Sequence, residues 1–557
     1  YGNTVTGYTG TIQLASTDAK AVLPGSHIFL ETDKGVYTFS GVILKTAGVQ
    51  TVTATDTISG SITGTTGNII VAAGNDYAAK STIAAGKPVV TADGIDSTTI
   101  TVTLKDDYDN LISGKPVILS QGEGSSVVEP VYGTTRLDGT AVFTVTDTKA
   151  EQVTYTAKVN GAAVNRTVQV TFIPGPAESL ITSDAGTQKA GEPFSVTVTA
   201  KDKHGNTATG YRGTVQLSST DAKGVLPGSH TFAEADNGIY VFGGVILKTA
   251  GAQTVTATDT INGSITGTTG NITVNVSEVD VVKSEVSVGK ATVTADGVDS
   301  AVITVTLADA YGNPVSGRPV TLSKDTGSSV TEAVYGATRI DGTEIFIVKN
   351  TVVEQVTYTA TAEGKALSQT VIVFFVPGSA KTLGISAVGT QAAGTPFDMT
   401  VTARDQCGNT ATDYSGTVQL TSTDTKAVLP GSHTFTAANK GIFKFKGIIL
   451  KTAGTHILTV ADVDNGSITG ATGSITVSAG SGYKGLSTIA ADKSSVAANG
   501  KDNASITVAL RDSYGNSLSG KIVTLSQGTG SSVVEAVYGT SRSDGTALFT
   551  VASTKAE

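Results

Sequence analysis

The feature that most limits how this chain can fold is a period. Val-Leu-Pro-Gly-Ser-His runs from Val22 to His27, from Val225 to His230 and from Val428 to His433, with successive starts 203 residues apart. The offset holds along the chain without insertions: Ser81 aligns with Ser284 and Ser487, and Tyr132 with Tyr335 and Tyr538. Such a chain must fold as a repeated unit whose copies share one architecture. The period is about twice the length of an ordinary β-sandwich domain of roughly 100 residues, and two different units can be read within it.

Unit A carries Phe-Ser-Val-Thr-Val-Thr-Ala-Lys-Asp-Lys-His-Gly-Asn (Phe194 to Asn206), then Gly-Thr-Val-Gln-Leu, then the Pro-Gly turn before His230. Unit B carries Ala-Val-Ile-Thr-Val-Thr-Leu-Ala-Asp-Ala-Tyr-Gly-Asn (Ala301 to Asn313), then Thr-Arg-Ile-Asp-Gly-Thr, then Glu-Gln-Val-Thr-Tyr-Thr-Ala. Both place an alternating run before an Asp-x-x-Gly-Asn turn, at Asp202 to Asn206 and Asp309 to Asn313. The reading divides the chain into A segments at 1–75, 176–277 and 379–480 and B segments at 78–175, 281–378 and 484–557. Tyr1 matches His204 and Glu557 matches Glu354. The first and last segments are therefore expected to lack strands, as in a window from a longer array.

The periodicity predicts an all-β chain, a tandem array of immunoglobulin-like β-sandwiches. Ile303, Val305 and Leu307 alternate with Thr304, Thr306 and Ala308, and Val196 and Val198 with Ser195, Thr197 and Thr199. That is the two-residue period of a strand with one buried face. Turn signals recur about every 8–12 residues. Asp341-Gly342 and Asn237-Gly238 are hairpin signals because these residues tolerate positive φ. No amphipathic helix is evident. With no Trp and one Cys, Cys407, the disulfide-and-Trp pin of antibody domains is absent, so Val, Ile, Leu, Phe and Tyr must build the core. Tyr155 and Tyr358, each two residues before an Ala, suggest a tyrosine corner.

The B units resemble the bacterial immunoglobulin-like repeats of the invasin and intimin group. The resemblance rests on Val305 to Gly317, the Asp-Gly-Thr hairpin at Asp341, and Val356 to Ala360. The A units resemble a second bacterial surface repeat, through Ala190 to Asp202 and Leu247 to Gly251. Such repeats imply an extracellular stalk that projects a binding tip. Fold carries over more securely than function, and no receptor-binding role is carried over.

Charged residues make up 15% of the chain, against roughly 25% in soluble domains, and the net charge is −9. There is no Lys/Arg block and no apolar run of membrane-spanning length, so no nucleic-acid surface and no membrane segment are expected. No nucleophile elbow, zinc motif or phosphate loop is present, and the chain is read as non-enzymatic and free of cofactors. Asp106, Asp107 and Asp109 come nearest to a calcium set. Yet the matching turns hold only Asp309 and Asp512, and calcium takes about six to eight oxygens, so turn capping is the reading preferred. His27, His230 and His433 are the repeated loop candidates, read as loop residues entering a strand because no ligating partner stands nearby in sequence. A Glu, Tyr, Arg, Asp set recurs at Glu129, Tyr132, Arg136, Asp138, at Glu332, Tyr335, Arg339, Asp341 and at Glu535, Tyr538, Arg542, Asp544. It is read as a hairpin with a surface Glu–Arg pair.

The expected role is a structural repeat region of a large bacterial extracellular or cell-surface protein, a stalk or fibre advancing about 70–80 Å per period. Its expected partners are other copies of the array. The alternative is an adhesin whose repeats bind a cell-surface or matrix ligand. Linker composition further predicts a stiffer B-to-A joint, where apolar residues run up to Pro174 and Pro377. It predicts a looser A-to-B joint where the linker is Gly-rich, as at Val71 to Tyr77 and Val477 to Tyr483.

Overall fold

The computed structural model describes residues 1–75 and 78–557 and comprises two compact units, Tyr1–Ser277 and Glu278–Glu557. Asp76 and Tyr77, at the end of the first A-to-B linker, lie outside the described residues. Among the described residues, helix is limited to three single 3-10 turns at Glu31–Asp33, Glu234–Asp236 and Ala437–Asn439. No helix is long and apolar enough to cross a membrane, which says nothing of a β-barrel.

Residues 281–378 form a sandwich of two four-stranded sheets. One runs in the order Glu285–Val288, Ala301–Thr306, Thr343–Lys349, Val330–Ala333. The other runs Thr292–Thr294, Lys365–Val376, Glu354–Ala362, Val320–Lys324. Neighbours are antiparallel except Thr292–Thr294, which lies parallel to residues Phe374 to Val376. The alternation read in the sequence is the burial pattern: Ile303, Val305 and Leu307 are fully buried, as are Val356, Tyr358 and Ala360 of the opposite sheet. The first B segment packs a matching core around Ile100, Val102, Leu104, Phe143, Tyr155 and Phe172. At about 25 cal/mol per Å² of apolar surface removed from water, these interleaved faces are the main stabilising term.

Residues 176–277 use three sheets, of three, three and four strands. Pro193–Lys201 pairs with Ser179–Thr182 and Ile239–Ile246, Ile272–Asn275 with Thr187–Lys189 and Gly251–Gln253, and Thr214–Ser219 with His230–Thr231 and Val255–Asp259, the last of which adds Thr266–Thr268. The register shifts between Phe194 and Val196, where Gly244 takes a left-handed φ of 79°. An extra residue of this kind bends an edge strand inward. At the hairpin signal Asn237-Gly238 both residues have positive φ, but at Asp341-Gly342 only the glycine does, and Asp341 Oδ1 accepts the Thr343 N–H at 3.1 Å.

The tyrosine corner takes another form than expected. Tyr155 and Tyr358 are wholly buried, but their hydroxyls bond the side chains of Ser126 (2.6 Å) and Ser329 (2.7 Å) rather than upstream backbone. Burial pushes the Tyr155 phenol up to about 12.

The outermost segments are thinner. Residues 36–43, the counterpart of Ile239–Ile246, form no strand, and the match to Pro193–Lys201 is not in this sequence. Among the described residues of the last B segment, one sheet forms, ordered Thr488–Ala491, Ala504–Ala509, Thr546–Ala552, Val533–Tyr538.

Candidate functional site: the joints between segments

The Asp-x-x-Gly-Asn turn, read from sequence as a turn cap, is also the device that joins one segment to the next. Asp202 Oδ1 accepts the backbone N–H groups of His204 (3.0 Å) and Asn206 (2.9 Å), which closes the turn. Its Oδ2 accepts the N–H of Gly175 in the linker at 2.9 Å and an amide proton of Asn206 at 2.9 Å. Asn206 then reaches across to the preceding B segment. Its Nδ2 donates to the Thr148 carbonyl at 2.9 Å and its Oδ1 accepts the Ala150 N–H at 2.8 Å. One side chain thus satisfies both a donor and an acceptor of a neighbouring loop while its own turn holds it in place.

The second B-to-A joint repeats this. Asp405 holds the Gly378 N–H at 3.0 Å, and Asn409 bonds the Thr351 carbonyl at 2.9 Å and the Val353 N–H at 3.3 Å. The first and last A-to-B joints share it. Asp106 holds Gly74 (2.8 Å) while Asn110 bonds the Lys45 carbonyl (2.6 Å) and the Ala47 N–H (2.8 Å). Asp512 holds Gly480 (2.9 Å) while Asn516 bonds the Lys451 carbonyl (2.7 Å) and the Ala453 N–H (2.8 Å).

Burial alone would raise the carboxyls of Asp106, Asp202, Asp405 and Asp512. The amide of the turn Asn and the surrounding backbone N–H groups outweigh it and hold all four below the usual carboxylate range. A carboxylate that accepts several N–H groups is stabilised in its charged form. The turn also needs a left-handed residue before the Asn. Gly205, Gly408 and Gly515 supply it with φ of 86°, 90° and 87°, whereas in the first B segment Asp109 takes φ 68°.

The receiving loop has its own anchor, which the sequence reading did not single out. Asp18 accepts the N–H groups of Lys45 and Thr46 (2.7 Å), and Asp424 those of Lys451 (2.6 Å) and Thr452 (2.9 Å), so each sets the loop that its partner Asn grips. The recurrence of Ser/Thr-Thr-Asp before the repeated Leu-Lys-Thr-Ala was the available signal.

The two joint types differ at the third turn position. At the A-to-B joints it is Tyr108 or Tyr514. Lys45 and Lys451 lie over these rings at 5.2 and 5.8 Å, and Lys426 Nζ donates to the Tyr514 carbonyl at 3.3 Å. Tyr514 also packs against the core of the preceding A segment. At the B-to-A joints the position holds His204, whose Nε2 lies 3.2 Å from the Asp93 carbonyl, or the exposed Cys407.

The calcium candidates do not converge on a ligand set. Asp106 is occupied by N–H donors, Asp107 is exposed, and Asp109 lies 3.6 Å from Lys80. Among the described residues no group of three or more His, Cys, Asp or Glu side chains could hold a metal ion.

His27, His230 and His433 each open a two-residue strand, and the Phe two positions on is buried as expected. Each ring stacks on an aromatic, Tyr37, Tyr240 or Phe443, with centroids 3.3, 3.4 and 3.4 Å apart. A partner stands six residues on after all: Nε2 lies 2.9 Å from Asp33 Oδ2 and from Asp236 Oδ2, and 3.3 Å from Asn439 Oδ1. The same oxygens cap the following 3-10 turn. The histidine thus packs and orients a turn.

In the recurring hairpin the arginine takes the tyrosine rather than the glutamate. Arg136, Arg339 and Arg542 lie 4.6, 5.1 and 4.4 Å from the ring centroids of Tyr132, Tyr335 and Tyr538. All three tyrosines are exposed.

Several known proteins are similar to this chain. The inverse autotransporter adhesin YeeJ of Escherichia coli (strain K12) is 29% identical over 371 residues, which is 60% of this chain and 15% of that adhesin's length. A structure of the Escherichia coli adhesin FdeC is 22% identical, covering 55% of this chain and all of that one, with a TM-score of 0.37. A crystal structure of invasin, a bacterial integrin-binding protein, is 16% identical, covering 75% of this chain and 81% of that one, with a TM-score of 0.34. The profile of the bacterial Ig-like domain (group 1) family matches residues 80–173, 283–376 and 486–557. Three stretches of this all-β chain thus match the bacterial Ig-like domain (group 1) family.

Proposed function

We propose that the chain is a non-enzymatic structural repeat region of a large bacterial extracellular or cell-surface protein, dividing into the six A and B segments read above and acting as a stalk. The observation that carries this reading is the same Asp–Asn clasp at four joints of two kinds. A chain that only needed independent binding modules would not require each one to grip the loop of its predecessor. Similarity to adhesins supports placement at the cell surface. Deleting one 203-residue period from the native protein should shorten the projected structure by about 70–80 Å while leaving the affinity of any terminal binding domain unchanged.

A second reading has one observation in its favour, the exposed Arg–Tyr pair repeated in all three B segments. If the repeats themselves bind a surface ligand, avidity should rise steeply with repeat number. Replacing Tyr132, Tyr335 and Tyr538 by Ala should then abolish it. Binding that ignores both changes leaves the stalk alone.

A further inference from the structure

The four segments between residues 78 and 480 share one feature that the clasp does not use: a short parallel patch. In the second B segment Thr292, Val293 and Thr294 run parallel to Phe374, Phe375 and Val376. The first B segment repeats this with Val89–Thr91 against Thr171 to Ile173. The second A segment has Thr187–Lys189 against Thr273 to Asn275, and the third has Gln391–Ala392 against Val477 and Ser478. In each, one strand lies near the start of the segment and the other at its end. Backbone bonds close the patch. The Phe374 N–H meets the Ala291 carbonyl and the Ala295 N–H the Val376 carbonyl, both at 2.8 Å. In the second A segment Thr273 meets Gly186 at 3.1 Å and Ala190 meets Asn275 at 2.8 Å.

Tension on the chain draws the first strand of a patch toward its own N-terminus and the last strand toward its own C-terminus. Because the two are parallel, one slides along the other, and the bonds that run between them are strained together. A hairpin pulled open at its free end breaks the same bonds one at a time. We propose that the parallel patch is the element by which each segment resists tension, and that it is graded, so that the A segments yield first and lengthen the chain while the B segments stay folded. The inference rests on the stalk reading, since a stalk anchored at one end and held at the other carries tension.

Three differences set the grade. The patch of the third A segment has two residue pairs, where the other three have three. The central residue of the first strand is Val90 or Val293 in the B segments, 2% and 0% exposed, but the half-buried Gln188 in the second A segment. An apolar side chain packed into the core keeps water from replacing the strained bonds. Finally, the B segments tie that strand a second time. Asp96 Oδ2 accepts the Thr91 N–H and Asp299 Oδ2 the Thr294 N–H, each at 2.9 Å. Lys87 and Lys290 pair with the same carboxylates at 3.1 and 2.6 Å. In the second A segment the nearby cation, Lys189, turns instead to Glu192 at 3.4 Å.

The test holds the full chain by its two ends under constant load. Each unfolding of a segment of about 100 residues should lengthen it by roughly 300 Å. A Gly-Ser insertion at the exposed Asn262-Gly263 turn enlarges the step of the second A segment alone, and one at Asn465-Gly466 that of the third. Of these four segments, the marked third A segment should yield first and the marked second A segment next, both before either B segment. Asp299→Ala should shorten the lifetime of one B segment by about tenfold, the effect of losing a hydrogen bond to a charged group. Gln188→Val, which copies the residue of the B patch, should lengthen the lifetime of the second A segment severalfold. Denaturant unfolding of both variants shows that they fold. B segments that yield before A segments would overturn the proposal. So would lifetimes under load that ignore both substitutions. Either result leaves the stalk reading standing, because that reading falls only if deleting a period fails to shorten the projected structure.

Discussion

The A-to-B and B-to-A joints are built more alike than their linkers suggest. By composition the B-to-A linkers, with Pro174 and Pro377, should be the stiffer, and the Gly-rich A-to-B linkers the looser. In the structure both kinds carry the same Asp–Asn clasp, and the A-to-B joints add a tyrosine, Tyr108 or Tyr514, beneath a lysine of the preceding segment. The linker glycines Gly74 and Gly480 give up their N–H groups to Asp106 and Asp512. A flexible residue whose backbone donor is taken by a buried carboxylate is no longer a hinge. What restrains the joint lies about 30 residues beyond the linker, in a turn that propensity assigns to the interior of the next segment.

The largest effect is expected from removing the clasp itself. Asn206→Ala and Asn516→Ala each delete bonds to a neighbouring carbonyl and N–H, at about 1 kcal/mol per bond, so each should weaken its joint by about 2–3 kcal/mol. Distances between spin labels on adjacent segments should broaden at both kinds of joint. Broadening at only one kind would mean that the clasp is not the common element.

A smaller effect separates the two kinds. Tyr514→Ala should cost the A-to-B joint about 1–2 kcal/mol through lost packing and cation–π contact. Cys407→Ala, at the matching position of a B-to-A joint, should stay within about 0.5 kcal/mol. Label distances and thermal unfolding of the two variants read this directly, and equal responses would remove the distinction.

Acid should then act on both kinds together. The clasp carboxyls of Asp106, Asp202, Asp405 and Asp512 are held below the ordinary value of about 3.9 by their N–H donors. Their contribution is full above that value and is lost as pH falls through the lower folded values. Label distances should therefore hold constant from neutral pH to about 4 and broaden below it. The A-to-B joints should broaden less, because they add the lysine–tyrosine contact to the clasp.

The smallest effect concerns the first and last A-to-B joints alone. Asp109 takes a left-handed φ that Gly515 takes in the sibling turn, a conformation costing a non-glycine residue about 1 kcal/mol. Asp109→Gly should raise the stability of the first B segment by about 0.5–1 kcal/mol, measured by denaturant unfolding.

Much of this molecule was legible in its residues. The 203-residue period, the strand faces at Ile303, Val305 and Leu307, and the buried Phe following each repeated histidine all follow from short-range pattern. Asp202 was legible as a turn cap because its turn partners lie within four residues. Its second oxygen was not, because Gly175 lies 27 residues away, and the Asn206 partner at Thr148 lies 58 away. Nor did composition show that Tyr37 and Tyr240 would cover the histidines.

The clearest division between what sequence and tertiary structure decide lies in two stretches of nearly the same composition. Gly-Ile-Tyr-Val-Phe-Gly-Gly-Val-Ile, from Gly238, is a strand paired to Pro193–Lys201, whereas Gly-Val-Tyr-Thr-Phe-Ser-Gly-Val-Ile, from Gly35, is not a strand. The sequence by itself determined that both stretches alternate and how often the pattern returns. Only the tertiary structure decided whether either became a strand, and which loop each asparagine would grip. Propensity and turn chemistry act between near neighbours, while a ladder of hydrogen bonds and a shared buried face exist only when a distant segment is there to supply the other half.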